Sequence, residues 1–153
     1  MKHDESALVK QALHDAREQL ASNGRVLPSA YMLVTINPQT GAPLTYPTAL
    51  GAQRDQSFTS PDDYRTFCAT LRDEARRLKA IAVVVAGEAE AEIEASEGPS
   101  RRRVLYVRVE DEAGVHQMHA AIESGANGRP SLGSLLADPD AVDEIDLPLL
   151  AAR

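Results

Sequence analysis

The hydrophobic positions of this chain change period several times, and each change marks an element. Over Asp4–Leu20, the residues Val9, Leu13, Ala16 and Leu20 recur at helical spacing as a narrow apolar stripe. Asn23-Gly24, which tolerates positive φ, stops that helix. Pro28 excludes its continuation, and Ala30–Ile36 reads as a strand. Asn37-Pro38-Gln39-Thr40-Gly41 is a turn by composition. Residues 42–59 are the least periodic part. PLTYPTAL reads as a short edge strand, because two prolines exclude it from a sheet centre, and GAQRDQSFTS reads as loop. A connection of that length is often functional.

Ser60-Pro61-Asp62-Asp63 is the clearest helix start: Ser60 as N-cap, Pro61 in the first position, Asp63 where a capping acid belongs. Tyr64, Phe67, Cys68, Leu71, Ala75 and Leu78 then line one face, and charged residues cover the other. The strand IAVVVA follows and runs into alternating Ala and Glu. After a loop, ASEGPSRR, comes a second alternating strand, RVLYVRVE. This hairpin is expected to pair Glu94 with Arg102, Glu92 with Val104, Glu90 with Tyr106 and Glu88 with Arg108. Ala89, Ala91 and Ile93 would then share the other face with Leu105, Val107 and Val109. Asp111-Glu112-Ala113-Gly114 turns into a third strand, Val115–Ile122, and Leu132–Ala137 fits one helical turn.

Strands joined by short turns pair antiparallel. The pattern therefore predicts an α+β fold, an antiparallel sheet of four or five strands with both helices packed on one face, a single-layer sandwich. Residues 1–137 form the one domain and 138–153 an acidic, partly ordered tail.

With 153 residues, 43% of them hydrophobic, the chain can bury a core of its own. No apolar run approaches the ~20 residues of a membrane span, and the charged start MKHDES has no apolar leader, which points to the cytoplasm. A formal charge of −7 argues against a nucleic-acid partner. A single cysteine excludes an internal disulfide, and thirteen Arg against three Lys is the coding bias of a GC-rich bacterial genome.

No catalytic constellation emerges. His116 and His119 are three apart in a strand, so they point to opposite faces and cannot grip one metal. Cys68 lies on an apolar helix stripe and reads as a buried, inert thiol. No Gly-x-Ser-x-Gly elbow, Walker loop or dinucleotide fingerprint is present. Carboxylates along the Glu88–Glu94 row stand ~7 Å apart, too far for one calcium ion. No metal and no cofactor are expected.

The segments GRVLPSAYML, LRDEARRLKAIAVVVAGEAE and GPSRRRVLYVRVED resemble a pattern of small bacterial proteins. In these an Arg- and Glu-rich helix enters an A-x-AVV strand, and a Pro-Ser-x-x-Arg loop opens the next. That group has no assigned activity, so the resemblance implies the element order and nothing further. This chain departs from it after Val83-Val84-Val85, where the pattern has an aromatic residue.

What the residues favour is a non-enzymatic binding or regulatory module, self-associating or taking a protein partner. It would act through the charged sheet face or the proline-bearing edge, and an immunity- or antitoxin-like role falls in this class. The alternative is a small-molecule site or enzyme pocket under residues 42–59. Candidate contacts are Tyr46, Arg54, Arg101, Arg102, Arg103 and Arg108.

Overall fold

The computed structural model describes residues 5–35, 43–48, 61–95, 98–125, 127–139 and 150. The chain runs α1 (Glu5–Asn23), β1 (Ser29–Thr35), β2 (Pro43–Thr48), α2 (Pro61–Arg77), β3 (Ala80–Ala95), β4 (Gly98–Asp111), β5 (Gly114–Ser124) and β6 (Pro130–Ala137). The strands form one sheet in the order β2-β1-β3-β4-β5-β6, with every neighbouring pair antiparallel. This is the α+β fold read from the sequence, with β2 at an edge. The sheet has six strands rather than four or five. Two sequence expectations concern connections, the eight-residue loop 95–102 and the segment 42–59. The first gives way to strand pairing that reaches Ala95 and Gly98. Of the second, only β2 lies within the described residues, and the expected N-cap Ser60 lies outside them.

The helices do not share a face. Tyr31 and Leu33 of β1, with Ala82, Val84 and Ala86 of β3, pack against Leu8, Val9, Ala12, Ala16 and Leu20 of α1. The alternate residues Ala30, Met32, Val83 and Val85 pack against Tyr64, Phe67, Cys68, Leu71 and Ala75 of α2. Successive strand residues face opposite sides, so α1 and α2 cover opposite faces and the architecture is helix–sheet–helix. The cause is written in β3. Residues Ala80–Ala86 are apolar at both parities, so a single covered face would leave Val83 and Val85 in water. Burying each such side chain contributes about 1.5–3 kcal/mol.

The β3–β4 register also departs from expectation. Glu88 pairs with Leu105, Glu90 with Arg103, Glu92 with Arg101 and Glu94 with Pro99. The glutamate parity is thus the parity of Ala82, Val84 and Ala86, on the α1 face. Two constraints select this register. Closure between Ala95 and Gly98 allows only a short turn, and Val84 must sit beside Val109 beneath α1. The face changes from apolar to acidic at Glu88, where α1 has ended.

Residues 130–137 form a strand, not a helical turn. Leu132 pairs with Ile122 and Leu135 with Ala120, with a register shift between. Gly133 and Ser134 together face Ala121 as a bulge, which returns Leu135 to the side of Leu132. Both leucines then pack on the α1 cluster. A three-residue apolar spacing therefore arises within a strand.

Helix ends follow backbone chemistry. Gly24 takes φ 74° and its N–H reaches the Leu20 carbonyl at 3.0 Å, closing α1. At the corresponding place after α2 stands Lys79, exposed and at φ 55°. A side chain in that region costs about 1–2 kcal/mol, offset in part by the greater unfolded-state freedom of glycine. Lys79→Gly is expected to raise stability by about 0.5–1 kcal/mol in urea unfolding; an unchanged or lower midpoint would show that the backbone there is unstrained.

Candidate functional site

The residues singled out from sequence do not converge. Arg103, half-buried on the α1 face, forms a two-point pair with Glu88, Nε to Oε2 at 2.9 Å and Nη2 to Oε1 at 2.7 Å. Its Nη2 also donates to the Gly24 carbonyl at 2.6 Å, and Glu88 accepts the Val26 N–H at 3.2 Å. This fork ties the hairpin to the end of α1, and the bond to Glu88 raises the guanidinium's already high pKa. Arg102 is exposed. Arg101 and Tyr46 occupy strand positions opposite Glu92 and Met32, and Arg54 lies outside the described residues. Arg108 is 0% exposed, on the opposite face from Arg103. The hairpin tip is thus partly consumed by structure rather than presented as one charged surface.

A different cluster forms on the α2 face. Tyr64 of α2 stands edge-on to Tyr106 of β4, ring centres 5.9 Å apart at 81°. The hydroxyls are 3.2 Å apart, and Tyr106 donates to Gln117 Oε1 at 3.0 Å. With that proton committed, Tyr64 is the donor to Tyr106. Beside Tyr106 on the same side of β4, Arg108 and Glu110 form a buried ion pair, Nη2 to Oε1 at 2.9 Å. The other Glu110 oxygen accepts the Leu150 N–H at 2.7 Å. Such pairs stabilise weakly when intact and cost several kcal/mol when one member is removed.

His119 lies directly across the β4–β5 ladder from Tyr106. Its Nδ1 is 2.7–2.8 Å from both Asp138 oxygens, and the Asp138 N–H donates to the Gln117 carbonyl at 2.8 Å. The carboxylate holds the ring with Nδ1 protonated, which leaves Nε2 as the acceptor. Nε2 makes no hydrogen bond to the described residues. His116 is exposed on the other side of β5, as strand alternation requires.

One further group could hold a cation, His14, Asp15 and Glu18 on α1, whose ligand atoms lie within 4.8 Å of one another. The Asp15 oxygens already accept from Tyr31 at 2.6 Å and Gln11 at 2.9 Å, and His14 lies 3.3 Å from Glu18. These contacts account for the cluster without an ion.

Sequence reasoning missed the pairing of His119 with Asp138 and the docking of Leu150. Nothing in the local pattern of either segment signals the other. Comparison with known protein families, characterised proteins and solved structures finds no match to this chain.

Burial is the main cause holding Tyr64 and Tyr31 protonated well above the ordinary tyrosine range. Tyr106 reinforces it for the first and the Asp15 hydrogen bond for the second. Unfolded tyrosines lose their protons near pH 10. Above that pH the unfolded chain binds fewer protons than the folded one, so stability falls as pH rises. Of the four tyrosines, Tyr31 and Tyr64 are expected to contribute phenolate absorbance only together with loss of the folded circular-dichroism signal. Titration of all four near pH 10 in a still-folded protein would contradict their burial.

Proposed function

We propose that this chain is a self-associating binding module whose working surface is the free side of β6. The carrying observation is the contrast between the two sheet edges. On β2, Pro43 and Pro47 pair with Thr35 and Tyr31. Proline has no N–H to give, so these positions fit the ladder only with their nitrogens toward the free side, which then lacks two donors. That edge is blunted. β6 has its only proline at its first residue and carries no charged side chain in PSLGSLLA. The Asp138 N–H bonds β5, so alternation turns the N–H and C=O of Ala137 and Leu135 outward.

Leu136 is 56% exposed and Val115 37%, both on the α2 side of the sheet. On that side α2 packs over β1 and β3 and reaches β4 at Tyr106, so Leu136 stays exposed on the edge strand itself. A second copy is the occupant these features suit. Two chains of charge −7 repel, and an edge without ionisable side chains lets them meet at least electrostatic cost. Antiparallel pairing of β6 with β6 about a two-fold axis is self-complementary and extends both sheets. A second reading, a small-molecule site, has one observation in its favour, the Asp138-held His119, whose Nε2 makes no hydrogen bond among the described residues.

Native mass spectrometry tests both. A species at twice 16.5 kDa supports self-association, and extra mass of a few hundred daltons per chain supports the small-molecule reading. Leu136→Lys, a change at an exposed position, is expected to weaken the dimer at least about tenfold, about 1.4 kcal/mol, with the circular dichroism preserved. A wild-type chain that is monomeric at tens of micromolar, or a variant that dimerises equally well, would reject β6 as the interface.

A further inference from the structure

We infer that the two-fold axis of the β6–β6 pair passes at Leu136, so that Leu136 meets Leu136 of the second copy and Leu135 meets its Ala137. This rests on the β6 interface proposed above and fixes which of its residues touch. Three constraints select the register.

The first is hydrogen-bond parity. The Asp138 N–H bonds the Gln117 carbonyl at 2.8 Å, which turns the main-chain groups of Leu136 toward β5 and those of Leu135 and Ala137 outward. An outward residue must meet an outward residue, so the pair can be centred on Leu135, Leu136 or Ala137. A centre between two residues would set outward groups against inward ones and form no ladder. The second constraint is backbone continuity. Centring on Leu135 sets Ala137 against Gly133 in the bulge, and centring on Ala137 sets Leu135 against Pro139, which has no N–H. Centring on Leu136 uses the unbroken stretch Leu135–Ala137 of both copies, and Leu135 and Ala137 then exchange main-chain bonds on each side of the axis.

The third constraint is the side chains. Leu136 is 56% exposed. On the axis it forms a non-hydrogen-bonded pair, the closer kind, with Cα atoms ~4.5 Å apart. The two exposed leucines therefore cover each other. Asp138, held by His119, comes opposite the exposed, uncharged Ser134 of the second copy. The two Asp138 residues then lie ~14 Å apart along the strands, and centring on Ala137 would halve that separation. Acidic residues brought together on one sheet face repel. Hydrogen bonds, apolar contact and charge agree in this one register.

Oxidative trapping of full-length variants carrying one added cysteine tests the axis, with covalent dimer read by non-reducing electrophoresis. Cys68 is buried and is retained, and oxidised wild-type chain is the blank. A disulfide needs Cα atoms within about 7 Å. Leu136→Cys meets its own copy inside that limit, whereas Leu135→Cys and Ala137→Cys each lie two residues away from theirs. Leu136→Cys is expected to cross-link about tenfold faster than either of these alone, and a mixture of Leu135→Cys with Ala137→Cys is expected to form the mixed dimer. Faster self-cross-linking of Leu135→Cys or of Ala137→Cys would move the axis and overturn the inference. The mixture leaves Leu136 intact, so it decides where Leu136→Cys itself loosens the pair, and Leu136→Cys decides where Leu135→Cys does not fold. A wild-type dimer in native mass spectrometry, with no cross-link at Leu136 or in the mixture, overturns this register and leaves the β6 edge standing. A monomeric wild-type chain overturns both.

Discussion

The architecture depends on β3 having no polar face between Ala80 and Ala86. A strand apolar at both parities must lie between two covering layers, and its hydrogen-bonding groups must be matched by strands on each side. β1 and β4 supply the strands, and α1 and α2 supply the layers. The other elements follow from this demand. The path from β2 through α2 to β3 passes across β1 and delivers α2 to the face that α1 leaves bare. The meander from β3 to β6 then widens the sheet by short turns, such as the one at Asp111–Gly114, where Asp111 Oδ1 accepts the Ala113 N–H at 2.8 Å.

β3 also records where the cover ends. Its α1-side parity is Ala82, Val84, Ala86 and then Glu88 and Glu90, and the change occurs just beyond the helix terminus at Gly24. Arg103 makes that boundary structural by bonding both Glu88 and the Gly24 carbonyl. A residue class that looks like a docking surface in one dimension is thereby partly internal in three. On the opposite face the boundary is wetter. α2 stops over β4, and a chain of hydroxyls and amides from Tyr64 through Tyr106 to Gln117 runs from the covered half toward the open one. Burying Arg108 and Glu110 at that margin is tolerable because the two charges pair and Leu150 supplies Glu110 a further donor.

These margins, not the core, are where the molecule can meet others. The two edges differ in backbone chemistry. Proline removes donors from β2, while among the described residues β6 is interrupted by the bulge at Gly133–Ser134 alone.

Local periodicity and turn chemistry were enough to locate both helices, the β1 strand, the proline-bearing edge, the long hairpin and the Asp111–Gly114 turn. Each of those signals lies within a few neighbouring residues. Three features lay beyond it for identifiable reasons. Alternation assigns residues to two faces but does not say which helix covers which, so the sides of α1 and α2 required the packed structure. The Leu132–Leu135 spacing suits either a helical turn or a bulged strand, and only pairing with Ala120 and Ile122 decided between them. The hairpin register turned on how many residues formed the turn. Pairings such as His119 with Asp138, Tyr64 with Tyr106 and Glu110 with the Leu150 amide join residues 19, 42 and 40 positions apart. The sequence by itself determined which segments form helices and strands, because that choice is made by neighbours along the chain. The tertiary structure alone decided which faces and edges remain open, because that depends on which distant segments arrive to cover them.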